Sequence, residues 1–361
     1  MRQFGRRSTA IYVMVALVVG VIVGGYAGLL FSRGQPRETS GNTPSGQLTL
    51  VAAGTLVTLL PHVAVQLKAA YPEVQASNST EEYMGSLDAV REITSLNRSF
   101  DVLATVDPRQ IPEYMYPHYA SWEICFASNP VALVYSPANK FAGQINSTNW
   151  MNVIVERGVV VGAANASTDP NGYNAIFALE LAGIKLFGNE DKLLDHFYVN
   201  GSDGIERPNV SSGSLRISPE TSANALLQSG AVDFYFTYVS YAIANHLDYV
   251  NLGPWVNLGE LNNTYWDFYR QVHTNIIGPN GQLTTVTGAP VVYCATIPKN
   301  SPNPTLSEYF LMFLLSPEGV LDMENIGLTP ITPAFTDNLS AMPPLLKPFA
   351  TPMPNQMLQD L

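Results

Sequence analysis

From Leu48 onward the chain repeats one rhythm: a short β-branched or apolar run, a small or polar turn, then a longer amphipathic stretch. LTLVAAG leads into TLVTLLPHVAVQLKAAYP, DVLATVD into a polar loop, and VVVGAAN into GYNAIFALELAGIKLFG. Strand-length runs alternating with helix-length segments specify α/β units with mainly parallel sheets. No internal repeat of solenoid or propeller length is visible. Two strand-like runs stand apart from the rhythm, PVALVYSP at Pro130–Pro137 and APVVYCATIP at Ala289–Pro298, and we read them as two crossings between lobes. One lobe is then discontinuous, built from residues 48–134 and 292–345, and residues 135–291 form the other. A ligand cleft is expected between them, as domain interfaces commonly provide. The Pro- and Met-rich tail, 346–361, receives no function beyond packing on a lobe.

The segment before this domain has a different character. Ile11 to Phe31 carries no charge over 21 residues, which as a helix spans roughly 30 Å, the thickness of a bilayer's hydrocarbon core. Arg2, Arg6 and Arg7 precede it, so the positive-inside rule places residues 1–10 in the cytoplasm and everything beyond Phe31 outside the cell membrane. The rival reading is a cleaved signal peptide, since Ala27 and Gly28 are small enough for a cleavage site. Residues 32–47 contain the Gly-, Pro-, Ser- and Thr-rich sequence of a flexible tether. Asn-x-Ser/Thr sequons at Asn78, Asn97, Asn146, Asn165, Asn200, Asn209, Asn262 and Asn338 fit an exported, glycosylated surface. The two cysteines, Cys125 and Cys294, lie in apolar strand-like runs of the exported part; a disulfide between them is permitted there, and two unpaired buried thiols are the alternative.

From Leu48 onward 13 basic residues face 28 acidic ones, a net charge of −15. Such a surface repels a phosphate backbone, and no Lys/Arg stripe with interleaved aromatics appears, so a nucleic-acid partner is not expected. No nucleophile elbow, P-loop or dinucleotide fingerprint is present in the exported part, which argues against an enzyme and against a bound cofactor. The five histidines are scattered without metal-site spacing. Several strand-like runs instead end in a residue that opens a helix: Gly54-Thr55, Gly85-Ser86, Asp169-Pro170 and Ser218-Pro219-Glu220. Capping alone accounts for each of these. Several helix starts aimed into one cleft would also bind a dianion without Lys or Arg, because their free N–H groups and positive dipole ends converge there.

The stretches MYPHYASWEICFASNPVALVYSPANK, INSTNW, STDPNGYNAIFALELA, SGAVDFYFTYVSYAIANHLDYVNL and APVVYCATIPKN strongly resemble the archaeal-type tungstate/molybdate-binding proteins of ABC transporters, over roughly Leu48 to Pro333. The resemblance implies a type II periplasmic-binding-protein fold, two α/β lobes closing on an oxyanion, with an ABC permease and its ATPase as partners. It also implies contacts at Gly54 and Thr55, where the family usually shows Gly-Ser; at Ser86; at Asp169, Pro170 and Asn171, where the last is often Cys; and at Glu220 and Tyr238, eighteen positions apart. Ionised carboxylates should repel a dianion. The family's answer is coordination of the metal centre by the two acids, Asp169 and Glu220 here, expanding a tetrahedral oxyanion towards octahedral. Hard oxygen ligands suit such a centre, whereas sulfur in sulfate does not readily accept them. The expected function is therefore capture of tungstate or molybdate for an importer. The alternatives are a carrier of another oxyanion such as sulfate, or a tethered sensor or extracellular enzyme on the same fold.

Overall fold

The computed structural model describes residues 43–75 and 80–361. The expected membrane segment 11–31, the residues before it, most of the tether and the sequon at Asn78 lie outside the described residues. Among those described, no helix is long and apolar enough to cross a membrane.

Twelve strands form two sheets. They are β1 (Leu50–Ala53), β2 (Glu81–Met84), β3 (Val102–Val106), β4 (Ile124–Ser128), β5 (Val131–Tyr135), β6 (Val161–Ala163), β7 (Leu215–Ile217), β8 (Phe234–Tyr238), β9 (Asp248–Asn251), β10 (Val292–Thr296), β11 (Thr329–Thr336) and β12 (Ala350–Pro352). The first sheet has the order β12-β11-β4-β10-β3-β1-β2 and the second β7-β6-β8-β5-β9. β1, β3, β4, β6, β8 and β10 are buried at every position. That burial is why they read as unbroken apolar runs rather than alternating ones. Helices cover the sheets. Among them are α1 (Leu60–Ala70) and α2 (Ser86–Thr94) on the first lobe and α3 (Pro170–Phe187) on the second.

The expectation of mainly parallel sheets holds for only half of the strand pairs. β1 runs parallel to β2 and β3, and β6 parallel to β7 and β8, whereas β10 is antiparallel to β3 and β4, and β5 antiparallel to β8 and β9. The reason is connectivity. Strands of the βα units run towards the cleft and hand over to a helix there, while β5 and β10 enter their sheets from the crossing and run away from it. The two runs taken as crossings are therefore strands themselves. Val131–Tyr135, of which the division at residue 134 placed all but Tyr135 with the first lobe, pairs in the second sheet, so the outgoing crossing is Asn129–Pro130.

Cys125 and Cys294 are register partners on the neighbouring strands β4 and β10 and form a disulfide. The tail is part of the first lobe. β12 pairs with β11, Met353 and Met357 enter a buried apolar cluster, and Asp360 accepts from Trp266 Nε1 at 2.6 Å and from Arg270 Nη2 at 2.7 Å.

Candidate functional site

Four of the βα connections converge between the sheets. β1 ends in a short 3-10 turn, Gly54–Thr58; β2 ends at Gly85, ahead of α2; β6 leads to Asp169, ahead of α3; and β7 leads to a single 3-10 turn, Glu220–Ser222. Between them lies a cavity of about 480 Å³ whose wall includes Gly54, Gly85, Asp88, Asp169, Ser218 and Glu220. An adjoining recess of about 250 Å³ is walled by Thr55, Glu220 and Tyr241 among others. The lobes are closed on each other: Arg91 Nη2 donates to Ser167 O at 2.9 Å, and Asp88 N to Thr168 O at 3.4 Å.

Of the four expected helix caps, only Asp169 caps with its side chain: its Oδ1 accepts from Asn171 N at 3.0 Å. Ser86 is instead the first residue of α2, buried, with its hydroxyl accepting from Val106 N at 3.0 Å. Gly85 is required by the approach of the other lobe. A Cβ built there would lie 2.3 Å from Thr168 O and 3.0 Å from Asp169 Cβ.

Asn171 links the two acids. Its backbone N–H serves Asp169, and its side-chain Nδ2 donates to Glu220 Oε1 at 3.0 Å. Thr237 Oγ1 donates to the same Oε1. Two donors therefore fix one oxygen of Glu220, and its Oε2 faces Gly54, 3.7 Å from where a Cβ would stand. Each carboxylate has one oxygen held by a protein donor and a second available to the cavity they both border. Burial pushes the Glu220 carboxyl well above the ordinary range, and the neighbouring Asp169 charge adds to this against the pull of Thr237 and Asn171. Asp169 is pushed up to about 6, first by burial and then by Asp88, opposed by the Asn171 amide. Two acids with raised pKa values on one cleft wall are the electrostatic mark of a functional site.

The structure thus brings Gly54, Asp169 and Glu220 to the cavity wall and Thr55 to the recess, while Ser86, Pro170, Asn171 and Tyr238 lie buried behind them. Tyr238 OH accepts from Asn174 Nδ2 at 3.1 Å and keeps its own proton to donate. Sequence reasoning missed a second layer. Thr55 Oγ1 and Tyr293 OH are 2.7 Å apart, and Asn129 Nδ2 reaches Tyr293 OH at 3.0 Å and Ser240 Oγ at 2.7 Å. This chain joins the Gly54–Thr58 turn to the crossing between the lobes. The available signals were the one aliphatic hydroxyl, Thr237, in the aromatic run FYFTY and a polar residue, Asn129, where an apolar strand breaks off.

Two α/β lobes joined by paired crossings, closed over a polar cleft that two aligned acids border, define a two-lobed ligand-binding protein. The chain belongs to the family of bacterial extracellular solute-binding proteins, whose model matches residues 48–320. It is a binding protein, not an enzyme, and carries a ligand in place of a cofactor. An uncharacterized solute-binding protein of Petrotoga mobilis is 30% identical over 306 residues, 84% of this chain and 90% of that one. The molybdate/tungstate-binding protein WtpA of Thermococcus kodakarensis is 29% identical over 335 residues, 88% of this chain and 89% of that one. The periplasmic molybdate-binding protein of Azotobacter vinelandii shares the fold at a TM-score of 0.54 and 16% identity, over 78% of this chain and 98% of that one. The sulfate-binding protein SubI of Mycobacterium tuberculosis does so at 0.54 and 15%, over 79% and 87%.

Proposed function

We propose that this chain is the extracytoplasmic solute-binding component of an ABC importer, tethered by residues 11–31, and that it delivers tungstate or molybdate to the permease. The observation that carries this reading is the pair Asp169 and Glu220, each with one oxygen held by donors and one left to the cleft. A site for sulfate has no use for two acceptors, because sulfate carries no proton at neutral pH and offers no centre that takes extra ligands; hydrogenphosphate has one proton to give and would occupy only one of the two. A tungsten or molybdenum centre takes both, and the same acids then reject the commoner anions by repulsion. The helix start at Ser86, with the hydroxyls of Thr55 and Tyr238, supplies donors to the oxo groups; at Pro170 the ring nitrogen carries no N–H and the Asn171 N–H is taken by Asp169. WtpA relatives named for both anions point the same way.

Calorimetric titration of the full chain in detergent tests the reading. One-to-one heat with tungstate or molybdate and none with sulfate or phosphate is expected; equal heat with sulfate would refute it. The pH dependence follows from the two acids. In the empty site both folded-state pKa values lie above the ordinary range, so the protonated forms are favoured at low pH, whereas coordination requires both anions. Binding must therefore expel protons. As pH falls through about 6 a proton comes from Asp169, and Glu220, whose carboxyl burial and the Asp169 charge push up, adds its own wherever it is protonated in the empty site. Affinity should fall as pH drops through about 6, by up to about tenfold per pH unit for each acid that must lose a proton to coordinate. Titration in buffers of different ionisation enthalpy should show the released proton. A flat affinity through pH 6 with no released proton would contradict coordination by Asp169.

A further inference from the structure

A second polar cluster joins the lobes away from the cleft. Asp107 follows β3 in the first lobe, and Tyr173 lies on α3 in the second, one turn beyond the Asp169 cap. Both are buried. Tyr173 OH donates to Asp107 Oδ2 at 2.8 Å and accepts from Gln110 Nε2 at 3.1 Å. Arg109 fixes the acceptor: its Nε reaches Asp107 Oδ1 at 2.8 Å, and its Nη1 reaches Thr287 O at 2.5 Å. Asp107 has φ +86°, a conformation an L residue adopts only when its surroundings impose it. A small cavity of about 30 Å³ is lined by Asp107, Arg109, Gln110 and Tyr173. Burial alone would push the Asp107 carboxyl up, yet Arg109 holds it below its ordinary value, so Tyr173 faces an ionised acceptor. A hydrogen bond to a charged acceptor in a buried setting is among the stronger single contacts available between two lobes.

We propose that Tyr173 and Asp107 form a latch that holds the lobes closed, with Arg109 and Gln110 as the residues that position its two halves. Because Tyr173 and Asp169 share one helix start, engaging the latch also brings Asp169 to the cleft. The latch rests on the reading of the chain as a protein that closes on a ligand, but not on the identity of that ligand. Opening the lobes would leave the Asp107–Arg109 pair in the first lobe while stripping Tyr173 of its acceptor and Arg109 of Thr287 O in the second, so these bonds favour the closed state selectively.

The test uses the full chain in detergent with spin labels at Lys68→Cys and Arg157→Cys, exposed positions on opposite lobes. Interlobe distances are read by pulsed electron resonance without anion and with tungstate, molybdate, sulfate or phosphate, for the wild type, Tyr173→Phe and Asp107→Asn. The phenylalanine variant keeps the ring and removes only the hydroxyl. Its closed population relative to open is expected to fall about tenfold, and dissociation of any anion that closes the wild type to quicken by a similar factor. Adding Asp107→Asn to Tyr173→Phe should cost little more closure than the worse single variant, the non-additivity of a shared bond. An unchanged distance distribution in Tyr173→Phe, even with a lowered melting temperature, overturns the latch, since a merely structural role would move stability alone. A wild type that stays open without anion and in all four also overturns it. Closure that depends on Tyr173 without response to tungstate would keep the latch and reject the proposed ligand.

Discussion

Glu220→Gln is expected to abolish tungstate binding, with affinity falling by at least about a thousandfold, a loss on the order of 4 kcal/mol. Glutamine keeps the volume, and its carbonyl oxygen still accepts from Asn171 and Thr237, so the pocket is preserved. What it lacks is an anionic oxygen on the cavity side. The sign of the result separates the two readings of the site. If an oxyanion were held only by hydrogen bonds, exchanging a buried carboxylate for an amide donor would remove repulsion and tighten binding, for sulfate as well as tungstate. If the acid coordinates the metal, the same exchange destroys affinity. Asp169→Asn should behave alike, because asparagine caps a helix as well as aspartate and leaves α3 in place. Titrations with tungstate and sulfate, alongside melting temperatures of the ligand-free variants, decide between them. Tightened or unchanged tungstate binding in Glu220→Gln would sink the coordination model.

Gly85→Ala is expected to weaken ligand binding by about 10- to 100-fold, a penalty of roughly 1–3 kcal/mol for overpacking. The first lobe itself should barely notice. Gly85 has φ −59° and ψ 139°, values any residue adopts, so an alanine there suits the unstrained backbone. The obstacle is the opposing lobe: the new methyl meets Thr168 O at 2.3 Å and its carbonyl carbon at 2.9 Å, and backbone atoms cannot turn aside as a side chain could. Only separation of the lobes relieves the contact, which shifts the population away from the closed form that the ligand requires. The ligand-free variant should melt close to the wild type while its tungstate affinity drops. Wild-type affinity would show that the approach of Gly85 to Thr168 is not needed for binding.

These expectations draw on features that differ in how far the sequence exposes them. The strands were legible because most are buried on both faces, which leaves apolar runs such as LVAA and VLATV between turn residues. The direction of β5 and β10 was not, since nothing local to VALVY or VYCAT records that the chain arrives from the other lobe. Asp169 was readable as a cap from Asp-Pro before a helical stretch, and the pairing of Asp169 with Glu220 came from resemblance. The bridging role of Asn171 depends on a contact between segments 49 residues apart, which no local pattern reveals. The family position that is often Cys holds Asn171 here, whose backbone N–H serves Asp169 and whose side chain holds Glu220. The expected capping by Ser86 failed for a tertiary reason, because its hydroxyl serves Val106 on a neighbouring strand.

In the proposed site Asp169 and Glu220 bind the metal centre of the anion itself. The most direct measurement is tungsten L3-edge X-ray absorption on the full-length protein loaded with one equivalent of tungstate. A six-coordinate centre is expected, four oxo groups and two longer oxygens, with one of the two longer ones lost in Glu220→Gln if any metal remains bound. A spectrum of four equivalent oxygens, the same as tungstate free in solution, would contradict it.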